Sequence, residues 1–158
     1  MPRVAIALGS NLGDRHAHLL RAVTALHLQL TDVTVSAFVE TDPVGVREQP
    51  AFLNGALTGW SEASPQTLLG WLLALETDQG RERPYPGAPR TLDLDLILYG
   101  SAVIDEPGLR VPHPRFRDRG FVLEPLASIA PDMIDPETGT SVGEWYRRWQ
   151  EHQACASR

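Results

Sequence analysis

The chain has 158 residues, 42% hydrophobic and 22% charged, with a formal net charge of −6, which fits a single soluble domain over residues 1–158. No apolar run approaches the roughly 18 residues of a membrane helix, and the N-terminus MPRVAIALGSN has no secretory-signal pattern. Cys155 is the only cysteine, which excludes internal disulfides and a cysteine zinc site and suits a reducing cytoplasm.

Residues 4–8 are a short apolar run stopped by Gly9, Ser10 and Asn11, and predict a buried strand. Asp14 can cap a helix whose Leu19, Leu20, Val23, Leu26 and Leu30 recur at helical spacing through residue 30. Residues 32–40, rich in β-branched and aromatic side chains, predict a second strand ended by Asp42, Pro43 and Gly45, and residues 52–60 a third. Ser64 and Pro65 are cap and first-turn signals for a helix carrying Leu68, Leu69, Leu72, Leu73 and Leu75 to about residue 79. Residues 80–89, GRERPYPGAP, predict an irregular loop. It leads into a strand, TLDLDLILYG at 91–100, then a short strand at 102–104, the loop GLRVPHPRFRDRG, a helix over 121–129, and an amphipathic helix over 141–150. The order strand, helix, strand, strand, helix, strand predicts an α+β ferredoxin-like sandwich, a mainly antiparallel sheet with helices packed on one face. Trp60 and Trp71 are core candidates, and His16, His18 and His27 lack metal-ligand spacing.

The strand at 91–100 carries the strongest chemical signal. A side-chain period of two puts Leu92, Leu94, Leu96 and Leu98 on one face and Thr91, Asp93, Asp95, Ile97 and Tyr99 on the other. The two aspartates then point the same way with Cα atoms about 6.7 Å apart, and like charges on a half-buried strand call for a cation. A divalent metal or a pair of arginines would serve; a solvated edge strand is the plainer account.

All fourteen basic residues are arginine, so no phosphate-loop, kinase or Schiff-base lysine can operate, and any bound phosphate must be held by arginine and metal. Residues 81–119 contain seven arginines and six acids, the remainder seven arginines and fourteen acids. An acidic remainder argues against a general nucleic-acid surface and favours a local anion pocket. Arg81, Arg83 and Arg90 precede the aspartates and His113, Arg115, Arg117 and Arg119 follow them. Carboxylates and cations meeting at one mouth are the parts of a phosphoryl-transfer site, although structural arginine–aspartate pairing would use the same residues. GSNLGDR at 9–15 lacks the lysine of a phosphate loop and reads as a tight turn supporting the site.

Several segments in order, ALGSNLGD at 7–14, TDPVG at 41–45, QPAFLN at 49–54, PRTLDLDLILYG at 89–100 and VPHPRFRDRGFVLEPLASIAPD at 111–132, resemble the 6-hydroxymethyl-7,8-dihydropterin pyrophosphokinase family. The resemblance implies transfer of diphosphate from ATP to 6-hydroxymethyl-7,8-dihydropterin, giving AMP, in tetrahydrofolate biosynthesis. It implies that Asp93 and Asp95 bind two Mg²⁺ ions bridging ATP, and that Glu76, Arg81, Arg83, Arg90, His113 and Arg119 contact the nucleotide. Arg81 and Arg90 join the two aspartates as catalytic residues. It further implies a pterin pocket in which Phe52 and Phe121 stack on the ring, Asn54 reads its edge, and backbone groups of Thr41, Asp42 and Val44 complete the wall. A flat heterocycle suits two aromatic faces, and a buried amide can answer both donor and acceptor.

Two departures stand out. PYPGA at 84–88 replaces an arginine and a tryptophan common in the family and is one residue shorter, and Pro114 stands where some members carry tyrosine. The expected partners are the two small substrates, with no nucleic acid, membrane or obligate protein partner. A metal-dependent nucleotide hydrolase would need the carboxylates and arginines but no pterin slot. A ferredoxin-like RNA-binding module would need a basic sheet face and ribonucleoprotein motifs, and a regulator could keep the pocket without turnover.

Overall fold

The computed structural model describes residues 1–41, 51–80 and 91–156. The first strand, β1 (Arg3–Ser10), is buried along almost its whole length because both faces are covered. Helix α1 (Arg15–His27) is capped as its sequence predicts, with Ala17 N donating to Asp14 Oδ1 at 3.1 Å. It ends before residue 30: Leu28 N and Gln29 N turn back to Ala25 O and Leu26 O, tightening the chain toward Asp32, whose φ is +50°. Leu30 remains buried beyond that turn, whereas Leu20 is exposed.

The expected strand at 32–40 is two, β2 (Thr31–Val35) and β3 (Val39–Thr41). Ser36 lies at the break, and its hydroxyl accepts from Ala56 N at 2.8 Å while donating to Ala37 O, which substitutes a side chain for a ladder bond. Both strands pair with β4 (Phe52–Trp60), which pairs with β1, which pairs with β5 (Asp93–Tyr99), all antiparallel in the order β2-β4-β1-β5. Helix α2 (Pro65–Asp78), opened by the Ser64 side chain accepting from Thr67 N, packs against β5. Trp60 at the end of β4 is 40% exposed and lies outside the core.

Helices cover both faces of the sheet, and this corrects the one-face expectation. Val4, Ile6 and Leu8 pack with Leu19, Leu26, Leu68 and Leu72 of α1 and α2. Ala5, Ala7 and Ala56 pack on the other side with Val122, Leu123 and Leu126 of α3 (Gly120–Ile129). Helix α4 (Val142–Ala156), longer than the 141–150 expected, lies against α3. Between β5 and α3 the chain forms a hairpin, β6 (Ile104–Glu106) and β7 (Leu109–Val111), joined through Pro107 and Gly108 at φ +80°. A proline followed by a left-handed glycine is a type II turn signal, and it shifts the strand expected at 102–104 and adds one where a loop was expected. No described helix is long and apolar enough to cross a membrane.

Candidate active site

Strand β5 places Asp93 and Asp95, both half-buried, on the face that α3 covers. The two-residue period holds only as far as Leu96. Ala5 pairs with Leu98 and Ile6 with Leu96, so Ile97 is the extra residue of a β-bulge. Ile97 and Leu98 therefore both join the α3 side of the core, while Tyr99 packs on the α1–α2 side and its hydroxyl donates to Ala63 O. The expected faces are thus correct at the aspartates and reversed at residues 98 and 99.

The aspartates gain their setting from the strands beside them. Gly9 pairs with Asn54 on one side and Asp93 on the other; Ala7 pairs likewise with Ala56 and Asp95. Paired residues of neighbouring strands point to the same face, so Asn54 and Asp93 stand on one row, two strand spacings or about 10 Å apart, with no side chain between them. A Cβ at Gly9 would lie 3.0 Å from Asn54 Oδ1 and 3.6 Å from Phe52 Cδ1. The bare backbone of Gly9 thus makes a slot in this row, with an amide and an aromatic ring at one end and a carboxylate at the other, while Ala7 and Ala56 are buried under α3.

Asn54 is 9% exposed, and its Nδ2 donates to Thr41 Oγ1 at 2.6 Å, which turns its oxygen toward Gly9. Thr41 was expected to contribute its backbone; its hydroxyl is what fixes the amide. Thr41 in turn pairs with Phe52 across β3 and β4. Arg15 ties the approaches to both strands, donating to Ala51 O at 2.7 Å and pairing with Glu40. Phe121, in the first turn of α3, lies on the same side of the sheet. Helix α4 can pack on that first turn because residue 120 is glycine: a Cβ at Gly120 would meet the Trp149 ring of α4 at 2.2 Å.

The cationic side is built on the open edge of β5. His113 N donates to Ile97 O at 2.9 Å, fastening the segment after β7 to that strand. Arg115 N donates to His113 Nδ1 at 3.1 Å, which leaves Nε2 to carry the imidazole proton. Burial, reinforced by the nearby Arg119, lowers the His113 pKa to about 4. The ring is then a neutral donor near pH 7. The Arg119 guanidinium lies 5.5 Å from the Phe121 ring, which sets a cation beside the aromatic end. A cavity of about 290 Å³ opens beside these groups, lined by Leu69, Asp95, Leu96, Leu109, Arg110 and His113 among others.

Glu76 is 2% exposed, and its Oε2 accepts from Leu94 N at 3.0 Å. It caps a backbone donor of the β5 edge and holds the strand between its two aspartates. Arg117, expected at the mouth with its neighbours, is instead paired with Asp135. Arg81, Arg83 and Arg90 of the expected nucleotide site and Asp42 and Val44 of the expected pterin pocket lie outside the described residues, as does the 84–88 departure. Among the described residues no group of three or more potential metal-ligating side chains forms. Sequence reasoning missed Gly9, whose part is to have no side chain between Asn54 and Asp93; only the pairing register reveals it.

Paired carboxylates beside cations, with an aromatic-lined slot adjoining, are the parts of an enzyme that transfers phosphoryl groups to a flat ring compound. Residues 5–131 match the sequence model of the family described as 7,8-dihydro-6-hydroxymethylpterin-pyrophosphokinase (HPPK). The chain is 42% identical over 137 residues to the 2-amino-4-hydroxy-6-hydroxymethyldihydropteridine pyrophosphokinase of Pseudomonas aeruginosa, covering 85% of each. It is 35% identical over 150 residues to the folic acid synthesis protein fol1 of Pneumocystis carinii, spanning 94% of this chain and 20% of that one. A solved HPPK-DHPS in complex with substrates superposes with a TM-score of 0.72 at 12% identity, over 96% of this chain and 44% of that one, and shares its fold. The chain belongs to the 7,8-dihydro-6-hydroxymethylpterin-pyrophosphokinase family and is a pyrophosphokinase.

Proposed function

We propose that the slot between Asn54 and the Asp93–Asp95 pair is where the chain carries out the reaction of its family, ATP-dependent diphosphate transfer to 6-hydroxymethyl-7,8-dihydropterin in folate synthesis. The observation that carries this reading is the row Asn54–Gly9–Asp93, which sets a ring-edge reader and a carboxylate about 10 Å apart across a residue without a side chain. Phe52 and Phe121 would flank the ring, and Asn54 Oδ1 would accept from a donor on its edge. The hydroxymethyl group would then point toward the aspartates.

Asp93 and Asp95 would hold two Mg²⁺ ions, which supply charge neutralisation on the triphosphate and a lowered pKa for the attacking hydroxyl. Two carboxylates fit that ion, which is usually held by one or two carboxylates plus substrate phosphates. His113 donates from Nε2 to a phosphate oxygen, and Arg119 and Arg115 add positive charge where the leaving AMP gathers negative charge. The hydroxymethyl oxygen bonds to the β-phosphorus, the bond from that phosphorus to the oxygen of the α-phosphate breaks, and the hydroxyl proton passes to solvent. Arg81, Arg83 and Arg90 belong to the nucleotide side of this reading, and Asp42 and Val44 to the pterin wall. Glu76 acts from behind β5 by fixing its backbone. The nucleoside lies in the cavity bordered by Leu69, Leu109 and Arg110.

The strand order β2-β4-β1-β5, with α1 and α2 on one face, supports the ferredoxin-like reading of the fold. Two core clusters on opposite faces of one sheet support residues 1–158 as one pyrophosphokinase domain. The lone, exposed Cys155 suits the cytoplasm. Incubation with ATP, Mg²⁺ and the hydroxymethyl dihydropterin should release AMP only when the pterin is present. Release of ADP, or of AMP at the same rate without pterin, would overturn the reading in favour of a hydrolase.

A further inference from the structure

Three arginines lie two residues apart in HPRFRDRGF, and the structure treats the middle one differently. Arg117 Nε donates to Asp135 Oδ2 at 2.6 Å and Nη2 donates to Oδ1 at 2.9 Å, a bidentate pair. The Asp135 side chain is 0% exposed. The same carboxylate accepts from Glu137 N at 3.0 Å and Thr138 Oγ1 at 2.8 Å, and the Asp135 carbonyl accepts from Gly139 N at 2.8 Å. The turn between α3 and α4 is therefore folded around this carboxylate. Burial alone would raise the Asp135 carboxyl, but the hydrogen bonds from Arg117, Thr138 and Glu137 N outweigh it and hold the carboxyl below its usual range. The guanidinium also lies 4.9 Å from the Phe116 ring and 5.8 Å from the Trp145 ring, so its faces are packed as well as its edge.

We infer that Arg117 is a positioning residue for nucleotide binding, anchoring the segment that carries His113, Arg115 and Arg119 to the buried Asp135. The inference rests on the reading above that His113 and Arg119 contact ATP. The 113–119 segment leaves the sheet edge at the His113 N–Ile97 O bond and reaches the next α-helix only at α3. The 3₁₀ turn at Phe116–Asp118 is its one regular element, and it has no side-chain cap. Between its two ends the segment is tied at Phe116, which is fully buried, and at Arg117. Loss of the Arg117 fork would let His113 and Arg119 drift apart, while Asn54, Thr41 and Phe52, on other strands, would keep their bonds.

The test is steady-state kinetics with separate KM values for ATP and pterin, together with melting temperature, on Arg117→Met, Arg117→Lys and a remote core control, Leu26→Ala. Arg117→Met should raise the ATP KM by about tenfold or more, with the pterin KM moving less than about twofold. Arg117→Lys, which keeps one charged bond but loses the fork, should fall between. The control should lower the melting temperature without changing either KM. Equal rises in both KM values, an ATP KM unchanged in Arg117→Met, or a rise in the control to match would each overturn the positioning role. If Arg117→Met does not fold, the ATP KM of Arg117→Lys decides alone, unchanged refuting and raised supporting. Wild-type protein that releases no AMP would instead sink the functional reading itself, so the two failures are distinct.

Discussion

Replacing Gly9 with alanine should move stability and pterin binding in opposite directions. Its φ lies outside the left-handed region, so alanine fits the strand backbone there, and removing a glycine from a strand interior gains about 0.5–1 kcal/mol. The new methyl would stand 3.0 Å from Asn54 Oδ1, closer than ordinary van der Waals contact, and Asn54 must give way by a few tenths of an ångström. It cannot do so without cost, because its Nδ2 is held by Thr41 Oγ1 at 2.6 Å. Misplacing one hydrogen bond to the ring costs about 0.5–1.5 kcal/mol, and a methyl in the floor of the slot adds to that. The pterin dissociation constant should therefore rise about tenfold, equivalent to about 1.4 kcal/mol. Calorimetric titration of pterin into protein saturated with Mg²⁺ and a non-hydrolysable ATP analogue reads that shift. The analogue's own affinity should not change, and the melting temperature should hold or rise by a few degrees, on the order of 2–4 °C per kcal/mol for a chain of this size. Unchanged pterin affinity would refute the slot at Gly9, and a melting temperature lowered along with both affinities would reduce Gly9 to a packing residue.

On the proposed function, Asp95→Asn should lower kcat by roughly three orders of magnitude or more, since it removes a charge that this reading sets at the transferring phosphates. The melting temperature should hold within a few degrees, because the change is nearly isosteric at a half-buried position; unfolding would mark the aspartates as structural. His113 sits at about 4 in the folded chain against 6.5 when unperturbed, so between those values the unfolded chain binds more protons. Its contribution is full above pH 6.5 and is lost as pH falls toward 4, about 1–2 kcal/mol after discounting for partial exposure. His113→Gln should flatten the rise of unfolding free energy with pH in that window, and an unaltered slope would show that Asp93 cancels the effect of burial and of Arg119, Arg115 and Arg110.

The sequence shows its chemistry best where one strand carries all of it. Asp93 and Asp95 share a face because their separation is two, and nothing between them disturbs the period. Beyond them the period breaks at Ile97, and alternation cannot reveal this, since Ile97 and Leu98 are both apolar and either could face a core. The coverage of both sheet faces was legible in VAIAL at 4–8, whose apolar residues do not alternate with polar ones; the ferredoxin-like template drew attention to one face only. The β6–β7 hairpin was legible in the Pro107–Gly108 pair. Arg117 was not, because Arg115, Arg117 and Arg119 are the same residue type and the partner that distinguishes the middle one lies beyond α3. The slot was hidden for a related reason: Gly9 acts by lacking a side chain, and only strand register brings it into line with Asn54 and Asp93.

The described bonds that hold the site mostly engage backbone or groups outside the slot. Glu76 fixes β5 through Leu94 N, Ile97 O fixes His113 through its backbone, Thr41 orients Asn54 through the amide's nitrogen, and Asp135 holds Arg117. Asn54 Oδ1 and His113 Nε2 are thereby oriented by their partners' bonds. Donors and acceptors placed in this way before substrate arrives need little reorganisation when charge moves. That bears on the charge arrangement as well. Asp93 and Asp95 occupy successive same-face positions of β5, which is held at Leu94 by Glu76 and along its other edge by β1, so backbone bonds fix the spacing of the two carboxylates before anything binds between them.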